Sequence, residues 1–437
     1  MGGLPRPYRR NARTHSDKQI QQIAASIKTF GFTNPVLIDA QNTIIAGHGR
    51  VEAAKHLKLS TVPTIRLEHL SETELRAYVL ADNRLAENAG WDDDVLAIEL
   101  QHLSEVDLDF SIEVTGFETA EIDFLLDDVQ DSLTEGLPED DGFEVAQTAV
   151  TQTGDIWHLG DHRLICGDSL QGETYKSLME GETARMVFTD PPYNVPVQGH
   201  VSGLGRARHR EFAMAAGEMS RDEFTGFLAK VLGHLKQYSM DGALLYVCMD
   251  WRHVGEMDRA ALMSGLATKN ICVWVKSNGG MGSLYRSRHE LVFVLKSGIA
   301  PHVNNVQLGR YGRYRTNVWE YAGVNSFGRS RDADLEAHPT VKPITLVADA
   351  IRDCTKHHDV VLDAFGGSGT TLLAAERTGR KARLIEIDPI YCDVTIRRWQ
   401  SMTGQSAVLA DGGECFDVIE EQRAADGEID NVAQKIL

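Results

Sequence analysis

The sequence predicts an α/β protein in two parts, a small α/β unit followed by a larger layered fold around a parallel sheet. Three observations carry this reading. Residues 16–66 pack a helix, two strands, a Gly-rich corner and a further helix into one short stretch. From Thr153 onward, short apolar runs alternate with helical patterns, as expected where crossover helices join parallel strands. Between the two, "DSLTEGLPEDDG" has the composition of a solvated linker.

In the first unit, Ser16 is placed to cap a helix from about Asp17 to Phe30, and a second helical stretch spans Glu72 to Glu87. The boundaries that follow are 1–115 for the first unit, 116–152 for the acidic linker and 153–437 for the second unit. Strands are expected at 163–166, 184–189, 242–249, 360–364 and 382–387, with an antiparallel hairpin from 270–276 and 289–296. Residues 301–337 show little periodicity but much Arg, Tyr and Asn.

The net charge of −19 over 437 residues is unevenly spread. Leu85 to His162 contains 22 Asp or Glu and no Lys or Arg, so the rest of the chain nets −19 + 22 = +3. A polyanionic partner therefore stays open for the basic part. No apolar run is long enough to span a bilayer, and the N-terminus lacks the apolar segment of a secretory signal. The six cysteines are scattered without a C-x-x-C pair. That pattern points to a reduced, cytoplasmic setting, no thiolate zinc site and no metal.

"FTDPPYNV", residues 188–195, leaves its strand through an acid, two prolines and an aromatic ring. These residue types suit an exocyclic amino group of a nucleic-acid base. Its nitrogen lone pair is delocalised, so two acceptors on the two N–H groups would localise it and stabilise the positive charge that develops during attack. Asp190 supplies one acceptor and the Pro191 carbonyl the other, aimed by the fixed φ of Pro191 and Pro192. Tyr193 offers a face for an extruded base. The alternative is a rigid turn with no chemistry.

"VVLDAFGGSGTTLLAAERTG" supplies a second anchor, an apolar strand ending at Asp363, a Gly-rich turn and a helix from about Thr370. Such corners bind ligands at the carboxyl ends of parallel strands. Leu372 stands where a dinucleotide fingerprint needs its third glycine, and no G-K-[ST] occurs, so NAD and a Walker loop are disfavoured. Glu386, twenty residues after Gly366, is placed to take ribose hydroxyls. A Gly corner with a ribose acid fits S-adenosylmethionine.

With these residues in view, "DPPY" and "DAFGGSGTT" resemble the amino-group DNA methyltransferases that make N6-methyladenine or N4-methylcytosine. The order, catalytic motif first by 363 − 190 = 173 residues, resembles their β class. The resemblance spans about Thr153 to Arg398 and implies a Rossmann-like class I methyltransferase sheet. It implies Asp168 of "ICGDSL" at the cofactor's adenine, and His338 and Lys342 of "HPTVKP" near its methionine end. It also implies Asp363, Phe365, Gly366, Gly367, Gly369 and Thr370 at the cofactor, with Asp190, Pro191, Pro192 and Tyr193 catalytic. Asp in the first motif position goes more often with adenine, and Ser with N4-cytosine. Methylation at carbon 5 of cytosine needs a Cys nucleophile, usually after Pro, and no Pro-Cys occurs.

Double-stranded DNA is the expected partner, in a restriction–modification setting, with the recognition sequence and any homodimer left open. Arg206, Arg208 and Arg210 in the loop after DPPY, and Arg310, Arg313, Arg315, Arg329 and Arg331 within 301–337, are the expected DNA contacts. The second region lies where β-class enzymes place target recognition. A solvated basic loop is the competing reading of the first.

"TNPVLIDAQNTIIAGHGRVEAAKHLKLSTVPTI" resembles the ParB-like (sulfiredoxin-like) fold over about residues 10–90. Gly47-His48-Gly49-Arg50 stands where ParB proteins carry Gly-Glu-Arg-Arg, and no Cys precedes Cys166, so sulfiredoxin activity is not expected. A nucleotide phosphate or DNA backbone at Gly47–Arg50 and a purely structural corner are equally open. A ParB-like DNA-binding or nucleotide-switch protein with a degenerate methylase half is the alternative function. The intact set of Asp190, Tyr193, Gly corner and Glu386 favours the enzyme.

Overall fold

The structure, a computed structural model, describes residues 4–106, 108–134, 148–194, 217–276, 285–309, 313–321 and 342–424. The chain divides into two compact units, 1–134 and 135–437.

The first unit begins with helix α1 (Asp17–Phe30), capped by the Ser16 side chain on the Gln19 N–H and closed at Gly31 with φ 79°. Strands β1 (Val36–Ile38) and β2 (Ile44–Ala46) pair antiparallel, and β3 (Thr64–Arg66) joins β1 in parallel, giving the order β2-β1-β3. Helix α2 (His48–His56) starts at Gly47 and buries Val51, Ala53 and Ala54. Arg50 donates to the carbonyls of Asn34 at 2.7 Å and Pro35 at 2.9 Å, while the His48 ring accepts the Tyr8 N–H at 3.2 Å. These bonds fix the Arg50 and His48 side chains against the neighbouring segments.

Helix α3 (Glu72–Glu87) opens with a capping box between Ser71 and Glu74. Two more helices follow, α4 (Asp93–Glu105), capped by Asp92, and α5 (Thr119–Thr134). Leu100, Ile112 and Ile122 form their buried core, with Leu96, Leu103, Phe117, Leu125 and Leu126 packed around it. The expected linker at 116–152 is thereby corrected in its first half. Ile122, Leu125 and Leu126 share one face of a helix at i, i+3 and i+4, and burying that face outweighs the acidity that suggested a solvated chain.

The second unit holds one ten-stranded sheet. Its strands are β4 (Ile156–Leu159), β5 (His162–Cys166), β6 (Ala184–Thr189), β7 (Ser239–Met249), β8 (Ala267–Val275), β9 (His289–Lys296), β10 (Val318–Glu320), β11 (Val360–Asp363), β12 (Lys381–Glu386) and β13 (Val408–Leu409). The order is β10-β8-β9-β7-β6-β11-β12-β5-β4-β13, and the middle five, β7-β6-β11-β12-β5, run parallel. Every expected strand is present, with short edge strands added.

Helices α6 (Gly172–Met179), α7 (Arg221–Gln237) and α8 (Val254–Met263) cover one face; α9 (Ile344–Cys354), α10 (Thr370–Arg377) and α11 (Pro389–Thr403) cover the other. Successive strand residues serve opposite cores: Met186 and Phe188 face α9 and α10, whereas Val187 faces α6 and α7. Removing the fully buried Phe188 side chain would cost about 3–5 kcal/mol. This is a Rossmann-like sheet, with β9 running antiparallel to both β7 and β8 at one side.

The connections reverse direction between β6 and β11, so the topological switch point lies between those strands, where open α/β sheets take ligands at the carboxyl ends. The segment 301–309 lies at the opposite edge. Asn305 donates to the carbonyls of Arg352 and Thr355, both at 2.7 Å, beside the end of α9 that precedes β11. The region expected to read the target is corrected at its start, because residues 301–309 are bound to the edge away from the switch point.

Candidate active site

DPPY begins at the end of β6, and the Gly corner at the end of β11. One side chain joins them. Thr189 donates its hydroxyl to Asp363 Oδ1 at 2.8 Å and accepts the Ala364 N–H at 3.3 Å. Asp363 Oδ1 also takes the Phe365 N–H at 3.0 Å, and Oδ2 the Thr371 hydroxyl at 2.6 Å. Asp363 is thus the organiser of the corner, with both oxygens bonded within the protein. Burial pushes its carboxyl up to about 6.

The corner itself needs its glycines. Gly369 has φ 86°, and a Cβ there would meet Thr395 Cγ2 at 2.6 Å. Gly367, with φ 51°, donates its N–H to Glu386 Oε2 at 2.7 Å. Glu386 Oε1 takes the Asp388 N–H at 2.8 Å. Glu386 ends β12 and pairs in register with Cys166 of β5, so Asp168 lies one strand over from it. Asp168 itself accepts from the Leu170 N–H at 2.8 Å and the Gln171 amide at 3.2 Å. Burial raises the Glu386 carboxyl to about 7. Thr370 is buried at the start of α10, and Phe365 packs toward Phe227 at 6.1 Å between ring centroids.

At the DPPY motif, the Tyr193 hydroxyl donates to Asp190 Oδ1, and Lys342 Nζ donates to Asp190 Oδ2. Lys342 also reaches the Tyr193 hydroxyl at 3.4 Å and Glu290 Oε2 at 3.1 Å. The Lys342 ammonium is thus held by two carboxylates beside the DPPY motif. Glu290, the second residue of β9, also pairs with Lys276, which follows β8. Asn194, at φ 53°, accepts the N–H groups of Gly217 and Met219, both at 3.1 Å, and donates to the Met219 carbonyl at 2.7 Å. It ties the end of DPPY to the approach to α7.

Glu290, Lys276, Thr189 and Asn194 were not singled out from the sequence. A glutamate immediately before the apolar run "LVFVL" was the one available signal.

Among the expected DNA contacts, Arg313 and Arg315 are corrected. Arg313 donates to Asp353 Oδ1 at 2.9 Å, and Arg315 to Asp353 Oδ2 at 3.0 Å and Asp349 Oδ2 at 3.3 Å. Both guanidinium groups are buried against α9. Arg206, Arg208, Arg210, Arg310, Arg329, Arg331 and His338 lie outside the described residues.

A parallel sheet with an amide-and-carboxylate Gly corner, and an Asp-Pro-Pro-Tyr turn set beside it, defines an enzyme class: DNA methyltransferases of the N6/N4 amino type. Residues 184–397 belong to that DNA methylase family, whose model they match. Residues 5–84 match the ParB N-terminal domain, and 94–153 a ParB-methyltransferase HTH domain, the segment of α4 and α5.

Among similar proteins, the ParB-like nuclease domain-containing protein YnaK of Escherichia coli is 57% identical over 68 residues, 16% of this chain and 78% of that protein. Type II methyltransferase M.HpaI of Haemophilus parainfluenzae is 24% identical over 259 residues, 55% of this chain and 75% of the other. The solved PvuII DNA methyltransferase (cytosine-N4-specific) aligns with a TM-score of 0.42 and 18% identity, over 64% of this chain and 94% of that one.

Proposed function

We propose that the second unit transfers a methyl group from S-adenosylmethionine to the exocyclic amino group of a base extruded from double-stranded DNA, the target being adenine N6. The observation that carries this reading is the Thr189–Asp363 bond across the switch point. It fixes the residue next in the chain, Asp190, beside the Gly corner.

The residues fit the cofactor by the chemistry of their donors and acceptors. Glu386 and Asp168, at neighbouring strand ends, present acceptors suited to ribose and adenine, and the Gly366–Gly369 turn lets a ligand approach the backbone. When bound, S-adenosylmethionine supplies an electrophilic methyl group on sulfur. Asp190 and the Pro191 carbonyl accept the two N–H bonds of the amino group and localise its lone pair. Burial raises the Asp190 carboxyl above its ordinary range, which makes it a better acceptor for the proton the nitrogen must lose. The Tyr193 ring stacks with the base. Asp in the first motif position is what supports adenine over cytosine.

Sequencing that reports modified bases, on DNA from cells expressing the chain, tests this reading. The expected result is N6-methyladenine at one short sequence, absent when Asp190→Ala is expressed. N4-methylcytosine at that site would overturn the adenine assignment, and unmodified DNA the whole reading.

A further inference from the structure

Building on that reading, we propose that Glu290 and Lys342 are positioning residues that set the ionisation of Asp190 with opposite signs. The ammonium of Lys342 holds Asp190 as a carboxylate, and Glu290 opposes it while keeping Lys342 in place.

The geometry comes from three separate parts of the chain. Asp190 follows β6, Glu290 is the second residue of β9, and Lys342 sits two residues before α9. Lys342 bridges the two carboxylates, and Lys276 binds Glu290 from its other side. The Lys342 side chain is 5% exposed and the Glu290 side chain 12%. Trp274 lies beneath both lysines, its ring centroid 4.7 Å from Lys276 Nζ and 5.8 Å from Lys342 Nζ. Little water screens Lys342 and Glu290, so each acts strongly on its neighbours.

Two further features make the arrangement more than a structural clamp. Glu290 Oε2 lies 3.3 Å from the Tyr193 hydroxyl, whose hydrogen bond now goes to Asp190 Oδ1. Glu290 is therefore a second acceptor onto which that hydroxyl can turn, freeing Asp190 Oδ1 for the amino N–H of a base. The cluster also balances unevenly. Burial opposes charge on Glu290, but Lys342 and Lys276 outweigh it and bring the carboxyl down to about 2. Burial raises Asp190, Lys342 pulls it back, and Glu290 pushes it further up. The other groups facing the site are Tyr193, Cys248 and Asp363.

The sign of each effect follows from charge alone. Removing the Lys342 cation makes Asp190 harder to ionise, and removing the Glu290 anion makes it easier. The experiment follows the Asp190 carboxyl by carbon-13 NMR in the full chain with labelled aspartate, assigned by its loss in Asp190→Asn. The pH profile of kcat on methylatable DNA and cofactor affinity by calorimetry are measured beside it.

Lys342→Met should move the Asp190 titration and the acid limb of kcat to higher pH, lowering kcat on the order of 10²-fold or more at neutral pH. Glu290→Gln should move both to lower pH. Lys342→Arg, which keeps the charge, should restore the titration toward the original, and cofactor affinity should change little in any variant. Titrations that stay in place, or move in the same direction in Lys342→Met and Glu290→Gln, overturn the proposal. If Lys342→Met fails to fold, the direction in Glu290→Gln decides alone. A parent chain that methylates no DNA, with the opposed titration shifts intact, overturns the methyl-transfer reading and supports the charge relation.

Discussion

Asp393 and Val150, 243 positions apart, are joined by a buried hydrogen bond: the carboxylate accepts the Val150 N–H at 2.6 Å, and its other oxygen the Thr151 N–H at 2.9 Å. Arg423 closes the same knot by donating to the Val150 carbonyl at 2.6 Å and to Asp155. The second unit therefore begins before Thr153, at the residues that satisfy the buried Asp393.

A fragment starting at Thr148 should fold and methylate the same sites as the whole chain. A fragment starting at Gln152 leaves Asp393 without both N–H donors. Each lost bond to that charge costs about 1.5–3 kcal/mol, so its melting temperature should fall by several degrees or more. Equal melting curves for the two fragments would remove Asp393 from this role.

Asp190→Ala should lower methyl transfer on the order of 10²–10³-fold or more while leaving cofactor affinity nearly unchanged. The reason is positional: Asp190 faces Lys342 and Tyr193, whereas the expected cofactor acceptors, Glu386 and Asp168, stand at other strand ends. Single-turnover transfer at near the parent rate would show that another acceptor holds the amino group.

Glu386 makes the ligand-free protein sensitive to pH. Its folded carboxyl is raised from 4.5 to about 7 by burial. A carboxyl raised in the folded state favours folding while protonated, so stability falls as pH climbs from about 4.5 through 7, by about 3 kcal/mol. Glu386→Gln has no such titration. Its melting temperature relative to the parent should rise between pH 5 and pH 8, measured by scanning calorimetry without cofactor, and a flat difference would refute the shift. The same variant should bind S-adenosylmethionine more weakly by about 1.5–3 kcal/mol.

Arg313 and Arg315 belong to stability. Truncating Arg315 to Ala leaves the buried Asp353 with one fewer cation, a loss of about 3–5 kcal/mol where a buried pair is broken. Thermal melting should register that loss, while the salt slope of DNA binding should not change by the unit expected for a lost phosphate contact. A shallower slope with unchanged melting would restore the DNA role to Arg315.

Local pattern was enough for the frame. Ser16 and Ser71 begin helices because their hydroxyls satisfy exposed N–H groups, and the apolar runs ending at Thr189 and Asp363 are strands because only a doubly covered sheet uses such runs. The Asp-Pro-Pro-Tyr turn, the Gly corner and Glu386 were legible because each puts its chemistry into consecutive residues. Charge content misled in two places: acidity hid the packed face of Ile122, Leu125 and Leu126, and arginines in an aperiodic stretch looked like phosphate ligands. Whether an ion meets solvent or a buried partner depends on residues distant in sequence. Only the tertiary structure brought Lys342 and Glu290, separated from Asp190 by 152 and 100 positions, into one charge cluster with it. No spacing rule encodes that meeting, because it is set by the order in which strands lie side by side in the sheet.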